Sequence, residues 1–436
     1  MQSNFVHRIS KADNPPNQAF TASIGYTVAA QLEDQRKLQD FPLKYAKRTL
    51  LASLVIVGMG FSVLFPILSP MGREMGLTEF QITTIISASS LMVFMSAPVW
   101  GRMSDVWGRK RVMLIGLFGF SLGTVIFNSV LTAGLNGWIV GIPLYLTLIV
   151  ARLFHAGMMS ATMPAATAYM ADITDVSNRT KGMGATGAAN NLGAIIGPAM
   201  AGLAVISLMA PLWMMAVLAF LNGLFILKFL PEPPKQLAAR KPPRMRYTDP
   251  RILPFIVVGV LMFMGFALVQ QTMGFRFQDA LGLTAGETAR SFGIAMMLSA
   301  GCSLLAQGII VQRLELAPFT LLKLAIPLLI VAFTLMAVYE TRTMLTIAMM
   351  ILGFGMGLAG PGFMAGASLA VSSEEQGAVA GVAGSCGPLG FTIGPLIGGL
   401  LYQVDPVLPY YFAAGVYCVL LVFMQWIGKK VTVHQD

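Results

Sequence analysis

The stretches GAIIGPAMAG at residues 193–202 and GFTIGPLIGG at residues 390–399 stand 197 positions apart and repeat the same pattern of small residues. The same offset brings three further glycine or proline pairs into coincidence: Pro164 with Pro361, Gly184 with Gly381, and Gly187 with Gly384. Such agreement at one offset indicates that the chain contains an internal duplication. The motif positions are Gly193, Gly197, Pro198 and Gly202 in the first copy, and Gly390, Gly394, Pro395, Gly398 and Gly399 in the second.

The composition around these stretches is that of a membrane protein. Hydrophobic residues make up 56% of the 436 residues and charged residues only 11%, whereas soluble domains carry roughly 25% charge. At ~20 apolar residues per membrane-spanning helix, the apolar content is used up by about twelve spans, which excludes large soluble domains. The net charge of +10 fits basic residues collected in cytoplasmic loops and does not indicate nucleic-acid binding.

Twelve apolar runs follow one another along the chain, and none alternates as the strands of a membrane barrel do. Since backbone groups in hydrocarbon must be satisfied within the segment, we expect an all-α integral membrane protein with twelve transmembrane helices in two six-helix repeat halves. A duplicated six-helix unit is typical of secondary transporters, with the substrate site between the halves. Numbered as spans 1 to 12, the runs cover residues 49–70, 80–100, 112–132, 140–168, 183–207, 210–230, 252–275, 289–310, 318–338, 344–368, 378–402 and 408–428.

Basic residues give the orientation of the spans. With the N-terminus inside, 22 Lys and Arg residues fall in cytoplasmic segments, and only Arg73, Arg276, Arg290 and Arg342 fall outside. We therefore expect both termini in the cytoplasm and the protein in the plasma (inner) membrane. The predicted domains are an N-terminal tail at 1–46, a first bundle at 47–230, a cytoplasmic linker at 231–251, a second bundle at 252–428 and a C-terminal tail at 429–436.

The loop after span 2 reads GRMSDVWGRKR at residues 101–111. It is a tight basic turn with one carboxylate, where two helices meet the cytoplasmic surface. It resembles the signature between the second and third helices of the major facilitator superfamily, although Val106 stands where that family usually has a basic residue. The resemblance implies a twelve-helix transporter and a conformational role for this motif, whose residues are Gly101, Asp105, Gly108, Arg109 and Lys110.

The glycine-proline stretches of spans 5 and 11 are open to two interpretations. Small residues four apart allow two helices to approach closely, and proline bends a helix. The pattern is also similar to the antiporter motif of proton-coupled exporters in the same family. Because Ala201 replaces a glycine in span 5 while span 11 carries the full form, the value of the motif as a marker of export is diluted.

Span 4 carries Arg152 and His155 within its apolar run. An arginine costs at least ~2.5 kcal/mol at the centre of a spanning helix, so we expect it to face an aqueous cavity or a partner. Residues three apart share a helix face, and the pair therefore becomes a candidate substrate and proton site. The position is similar to a further family motif, Arg-xx-Gln-Gly, with His155 at the glutamine.

Polar groups in the other spans complete the candidate site. All Asp and Glu residues lie in tails, loops or span ends, so His155 is the one mid-membrane group that titrates near neutrality. The proton could instead use surface carboxylates such as Asp105 or Asp172. Amides within spans can bind a ligand or a neighbouring helix, and the candidates are Asn190, Asn191, Gln270 and Gln271.

These observations favour proton-coupled efflux of a small organic solute (a drug-like compound, a siderophore or a metabolite) by alternating access, as in the drug/proton antiporter branch that the motifs resemble. An importer, symporter or uniporter of the same fold for an anionic or neutral solute is the alternative. A receptor or a membrane-embedded enzyme is disfavoured because catalytic motifs are missing. We expect a monomer without metal or other cofactor, since Cys302, Cys386 and Cys418 lie in apolar runs without metal-ligand spacing.

Overall fold

The computed structural model describes residues 43–174, 179–232, 245–314, 316–372 and 375–432. All regular structure in these ranges is helical. The first half of the chain forms spans 1 to 6, several of them in two pieces. Their bounds are Leu43–Ser62 with Phe65–Glu74, Glu79–Trp107, Arg109–Leu135, Gly141–Met159 with Thr162–Asp172, Arg179–Ile196 with the 3₁₀ helix Gly197–Val205, and Ala210–Phe229.

The second half forms spans 7 to 12 in the same way. Span 8 ends in a π-helical turn, and span 11 is divided at Ser385. The bounds are Leu253–Leu281, Ala285–Leu305 with the π turn Ala306–Val311, Pro318–Val338, Arg342–Leu369, Gln376–Gly384 with Cys386–Val404, and Leu408–Thr432. The N-terminal tail before residue 43, linker residues 233–244 and the last four residues lie outside the described ranges.

In the described ranges, eleven helices are long and apolar enough to cross a membrane, and they correspond to every predicted span except span 5. Span 5 continues from its α-helix into a 3₁₀ helix at Gly197. Pro198, which lacks an amide hydrogen and whose ring crowds the preceding turn, lies at the start of the 3₁₀ helix, whereas the equivalent Pro395 lies inside the α-helix Cys386–Val404. The all-helical membrane fold is confirmed, while the predicted domain boundaries stay predictions.

The internal duplication is visible in the packing of the spans. In the first half span 1 packs on span 5, span 3 on spans 4 and 6, and span 2 on span 4. The second half repeats these pairs as span 7 on span 11, span 9 on spans 10 and 12, and span 8 on span 10. Spans 2 and 8 also begin alike, with capping boxes at Thr78 and Gln81 and at Thr284 and Glu287.

The two halves meet along spans 2 and 11 and where spans 5 and 8 approach each other. We call the two ends of the bundle inner and outer according to the predicted orientation. Several cross-half contacts lie on the outer part, where Ser69 donates a hydrogen bond to the backbone oxygen of Gln271 (3.1 Å) and Gly293 lies against Pro198. This arrangement closes the outer side of the space between the halves.

Candidate functional site

A cavity of about 390 Å³ lies between the two halves. Spans 1 and 5 form its wall on one side, and spans 7, 8, 10 and 11 form the other walls. Its size lies within the usual range for small-molecule sites, about 300–1,000 Å³. Residues from both halves are needed to enclose it, so a movement of one half against the other would change its shape.

Four phenylalanines line this cavity and pack against one another across the interface. Phe391 of span 11 lies 6.1 Å from Phe61 and 6.0 Å from Phe65 of span 1, measured between ring centroids. Phe266 of span 7 lies 6.1 Å from Phe391 in an edge-to-face arrangement. Rings in such contact present both faces and edges to a ligand. We call this group the phenylalanine cluster: Phe61, Phe65, Phe266 and Phe391.

The polar lining of the cavity consists of amides and hydroxyls. Three of the predicted amides, Asn190, Asn191 and Gln270, line it. Gln307 also lines it and donates to the hydroxyl of Ser303 at 3.3 Å. None of the described residues that line the cavity is charged, so a bound solute would meet hydrogen-bonding groups, aromatic rings and aliphatic side chains such as Met296 and Met349.

Gln271, the fourth predicted amide, lies outside the cavity lining. Gln271 is 1% exposed, and its side-chain nitrogen has no hydrogen-bond partner among the described residues. Successive residues of a helix point in directions about 100° apart, which places the side chains of Gln270 and Gln271 in different surroundings.

Arg152 and His155 lie together, but in a second, smaller pocket inside the first half. Arg152 donates from Nη1 to His155 Nδ1 at 2.6 Å, as their shared helix face predicts. The pocket of about 20 Å³ is enclosed by spans 1, 3, 4 and 6, and neither residue lines the central cavity. Their role in binding substrate or protons stays a prediction.

The outer side of the central cavity is closed by a charged cluster at Arg73, at the end of span 1. Arg73 donates to Glu79 of its own half at 2.7 Å and to Asp279 of the other half. The phenol of Tyr402 donates to the same Asp279 at 2.7 Å, and the guanidinium lies over the ring of Phe275 at 4.8 Å. Among the described residues, the contact between Arg73 and Asp279 is the one ion pair that joins the two halves.

The predicted conformational motif forms a network at the inner end of the first half. Arg109 donates from Nε to Asp172 of span 4 at 2.9 Å and from Nη1 to the Ser104 hydroxyl at 2.7 Å, and it also pairs with Asp105. Asp105 is 63% exposed. In this conformation the motif therefore holds spans 2, 3 and 4 together within one half, and Gly101 lies against Pro164 of span 4.

The first residues of the linker lie on this motif. The Glu232 carboxylate accepts from the backbone nitrogen of Lys110 at 3.4 Å, where a carboxylate suits the positive end of the helix that begins at Arg109. Tyr169 donates to the carbonyl oxygen of Pro231 at 2.7 Å. Gly108 has a φ of 99°, a backbone conformation that favours glycine, and a side chain there would press on Glu232.

A comparable network secures the inner end of the second half. Arg251 donates to Asp249 at 2.8 Å and to Glu375 at 2.9 Å. Hydrogen bonds from Arg251 lower the pKa of Asp249, and hydrogen bonds from Arg251 and then Ser372 lower the pKa of Glu375. Arg251 therefore connects the beginning of span 7 with the loop before span 11.

Most glycines of the two Gly-Pro motifs lie at close helix contacts, against span 1 in the first half and mainly against span 7 in the second. A methyl group on Gly193 would overlap the carbonyl oxygen of Val55 in span 1, and one on Gly394 would overlap that of Met264 in span 7. Gly197 and Gly390 are packed as closely, a methyl group on Gly398 would lie 3.0 Å from side-chain atoms of Leu268 and Thr272, and Gly399 faces Thr83 across the interface between the halves. Gly202 has open space beside it.

A sequence profile of the Major Facilitator Superfamily matches residues 50–390 and 321–434. The chain belongs to the Major Facilitator Superfamily. It is accordingly a membrane transporter rather than an enzyme, and the resemblance inferred from the motifs is confirmed.

Several relatives in the superfamily are resistance proteins. Multidrug resistance protein 2 of Bacillus subtilis is 27% identical over 397 residues, which cover 87% of this chain and 95% of the relative. Tetracycline resistance protein, class C, of Escherichia coli is 29% identical and covers 82% of this chain and 89% of its own length. Quinolone resistance protein NorA of Staphylococcus aureus is 24% identical over 84% of this chain and 92% of its own length.

Solved structures of the superfamily share the fold. The human organic anion transporter MFSD10 superposes with a TM-score of 0.63 at 20% identity, over 88% of this chain and all of the other. The nucleoside transporter NupG gives a TM-score of 0.69 at 16% identity, over 89% of this chain and all of the other. At such identities the comparison establishes the architecture alone.

Some functional candidates of this major facilitator protein carry little signal in the sequence. Phe61 and Phe65 have the four-residue spacing of a shared helix face, but span 1 is interrupted between them. Gln307 is an amide within an apolar run, as are the predicted candidates Gln270 and Gln271. Arg73 and Asp279 are separated by 206 positions, and each looks like an ordinary charge at the end of a span.

Proposed function

We propose that the protein exports a small organic solute through the central cavity by alternating access, driven by protons that flow inwards. The observation that carries the proposal is the cavity of about 390 Å³ enclosed by both halves and closed on its outer side. Efflux is favoured by the relatives, which are named for resistance to multiple drugs, tetracycline and quinolone. We place the transporter in the plasma membrane as a monomer with both termini in the cytoplasm.

The cavity lining favours an uncharged or zwitterionic solute that carries an aromatic ring. The phenylalanine cluster offers stacking and edge contacts, each worth about 0.5–1.5 kcal/mol beyond the burial of area. Amides such as Asn191 and Gln270 offer hydrogen bonds to carbonyl, hydroxyl and amide groups. A lone net charge would be unpaired here, because the lining holds neither Arg152 nor any carboxylate.

In this proposal the loop motif and the outer cluster stabilise opposite conformations. The cluster of Arg73 and Asp279 holds the outer side closed in the present structure. Asp105, which is exposed here and paired with Arg109 of its own half, would approach the second half when the inner side closes. Each network would break as the other forms.

Transport in proteoliposomes tests the proposal, with tetracycline and a neutral aromatic dye as probes. We expect accumulation in inside-out vesicles when the pH gradient drives it, and a loss of at least fivefold for Gln270→Leu. Gln271→Leu is the matched control, since it makes the same change one residue away outside the cavity, and its flux should stay within twofold of the unchanged protein. Flux that is independent of the pH gradient would favour a uniporter, and gradient-driven movement in the opposite direction would favour an importer.

A second variant addresses the proton route. His155→Gln keeps a hydrogen-bonding group but removes the imidazole, which can bind and release a proton. The described residues that line its pocket include one arginine, Arg152, and no carboxylate. We expect gradient-driven accumulation to fall about tenfold in this variant while counterflow without a gradient persists. Undiminished accumulation would assign the proton to surface carboxylates such as Asp105 or Asp172.

A further inference from the structure

The small pocket inside the first half contains an unusual concentration of buried polar groups. Arg152, His155 and Asn128 are 7%, 2% and 1% exposed, respectively. All three line the pocket, together with Thr124, Phe127 and apolar residues of spans 1, 3 and 6. Its volume of about 20 Å³ is enough for one guest about the size of a water molecule.

Several polar atoms around this pocket lack a partner. Arg152 Nε and both side-chain polar atoms of Asn128 make no hydrogen bond to the described residues. Leaving such groups buried and unpaired is costly, and each one in a native protein calls for an explanation such as a bound ion or water. Here the unpaired donors belong to two different spans and line the same space.

The positive charge of Arg152 also lacks a negative partner in this pocket. Arg152 has His155 Nδ1 at 2.6 Å and the ring of Phe127 at 5.5 Å, measured from Cζ to the ring centroid. Neither contact supplies a negative charge, because Nδ1 accepts as part of a neutral imidazole. Among the described residues that line the pocket there is no carboxylate. A buried guanidinium is normally paired with an anion.

Close helix packing limits what the guest can be. A methyl group on Gly123 of span 3 would come within 2.7 Å of His155 Cα, and Phe120 lies edge-on to the imidazole with 5.1 Å between ring centroids. The pocket therefore has no room for an organic solute of the size that the central cavity accepts.

We propose that this pocket binds one small monovalent inorganic anion, for which chloride is the probe, between Arg152 and Asn128. The anion would accept hydrogen bonds from Arg152 Nε and Asn128 Nδ2 and would supply the missing negative charge. It would be a resident component of the first half, separate from the transported solute. The inference does not depend on which solute the central cavity carries or on the direction of transport.

A bound water is the competing guest, since it could donate to Asn128 Oδ1 and accept from Arg152. It would leave the guanidinium charge uncompensated, whereas an anion would compensate it. Replacing chloride by gluconate distinguishes the two guests. Water is present in both buffers and would occupy the pocket in both, whereas an anion would be lost because gluconate is too large for the pocket.

Binding of radioactive chloride to the purified full-length protein in lipid nanodiscs tests the proposal. We expect one saturable site per chain, displaced by bromide and not by gluconate. Asn128→Leu removes the amide donor and fills part of the pocket, and should weaken binding at least tenfold. Gln271→Leu is the matched control, because it changes a buried amide of the second half to leucine and should leave chloride binding within twofold.

Thermal unfolding provides a second measurement, because the effect of chloride on the melting temperature can be compared within each variant even when that variant is less stable. At equal ionic strength, chloride in place of gluconate should raise the melting temperature of the unchanged protein, because a ligand that binds the folded state stabilises it. The rise should vanish in Asn128→Leu and in Arg152→Gln and persist in Gln271→Leu. The proposal is overturned by the absence of saturable chloride binding, or by equal binding to Asn128→Leu. A crystal grown in bromide that shows no anomalous density at Arg152 would overturn it as well.

Discussion

Exchange of Arg73 for glutamine should shift the transporter at least tenfold towards conformations that are open to the outside. Arg73 contributes the cross-half ion pair with Asp279 and a hydrogen bond to Gln278 at 3.3 Å. Hydrogen bonds to charged groups are worth about 1.5–3 kcal/mol each, and a tenfold change in an equilibrium corresponds to about 1.4 kcal/mol. Since the contact exists only with the outer side closed, its loss destabilises that state selectively.

Distance measurements between spin labels at the outer ends of spans 1 and 7 would report the shift. Arg290→Gln is the matched control, because Arg290 is an exposed arginine of the same predicted side and forms no ion pair in the described ranges. Asp279→Asn should resemble Arg73→Gln, and the double variant should be little worse than either single one, as expected for partners in one contact. An unchanged distance distribution in Arg73→Gln would remove the outer cluster from the mechanism.

Replacement of Gly193 or Gly394 by valine should reduce the yield of folded protein more than tenfold. A side chain at either place would overlap backbone atoms of the neighbouring helix, Val55 in span 1 or Met264 in span 7. Inserted bulk in a packed core costs typically 1–3 kcal/mol, and more when backbone must move. Membrane helices rely on such small-residue contacts because hydrophobic burial does not drive their association.

Gly202→Val supplies the control within the same motif, since none of the described atoms lies within 4 Å of a Cβ at that position. Size-exclusion chromatography in detergent would measure the monodisperse fraction of each variant. We expect Gly202→Val to match the unchanged protein. If Gly193→Val folds normally but loses transport, the motif acts in the mechanism rather than in helix packing.

The architecture could be predicted because its causes are local in the sequence. Each span needs a continuous apolar run, and the run can be seen directly. The duplication was visible because helix contacts as close as those at Gly193 and Gly394 tolerate only glycine, so both copies show it. The change to a 3₁₀ helix at Gly197 was not predicted, because a proline indicates a bend without specifying the helix type that follows.

The candidate site could be predicted only in part, because a sequence shows which face a residue occupies and not what covers that face. The spacing of Arg152 and His155 correctly implied that they lie together. It could not tell whether the central cavity or the neighbouring spans 3 and 6 would enclose them. The contact between Arg73 and Asp279 depends on how the two halves meet, which no local pattern records.

The way Glu232 and Pro231 lie on the loop between spans 2 and 3 has a mechanical consequence. A linker between two moving halves transmits force at the residues that it contacts. In the first half these residues are Lys110 and Tyr169, which donate hydrogen bonds to Glu232 and Pro231. Tension that arises as the second half swings would therefore act first on the loop that contains Asp105. A pull on Pro231 and Glu232 would thus reach the conformational motif directly, through Tyr169 and Lys110.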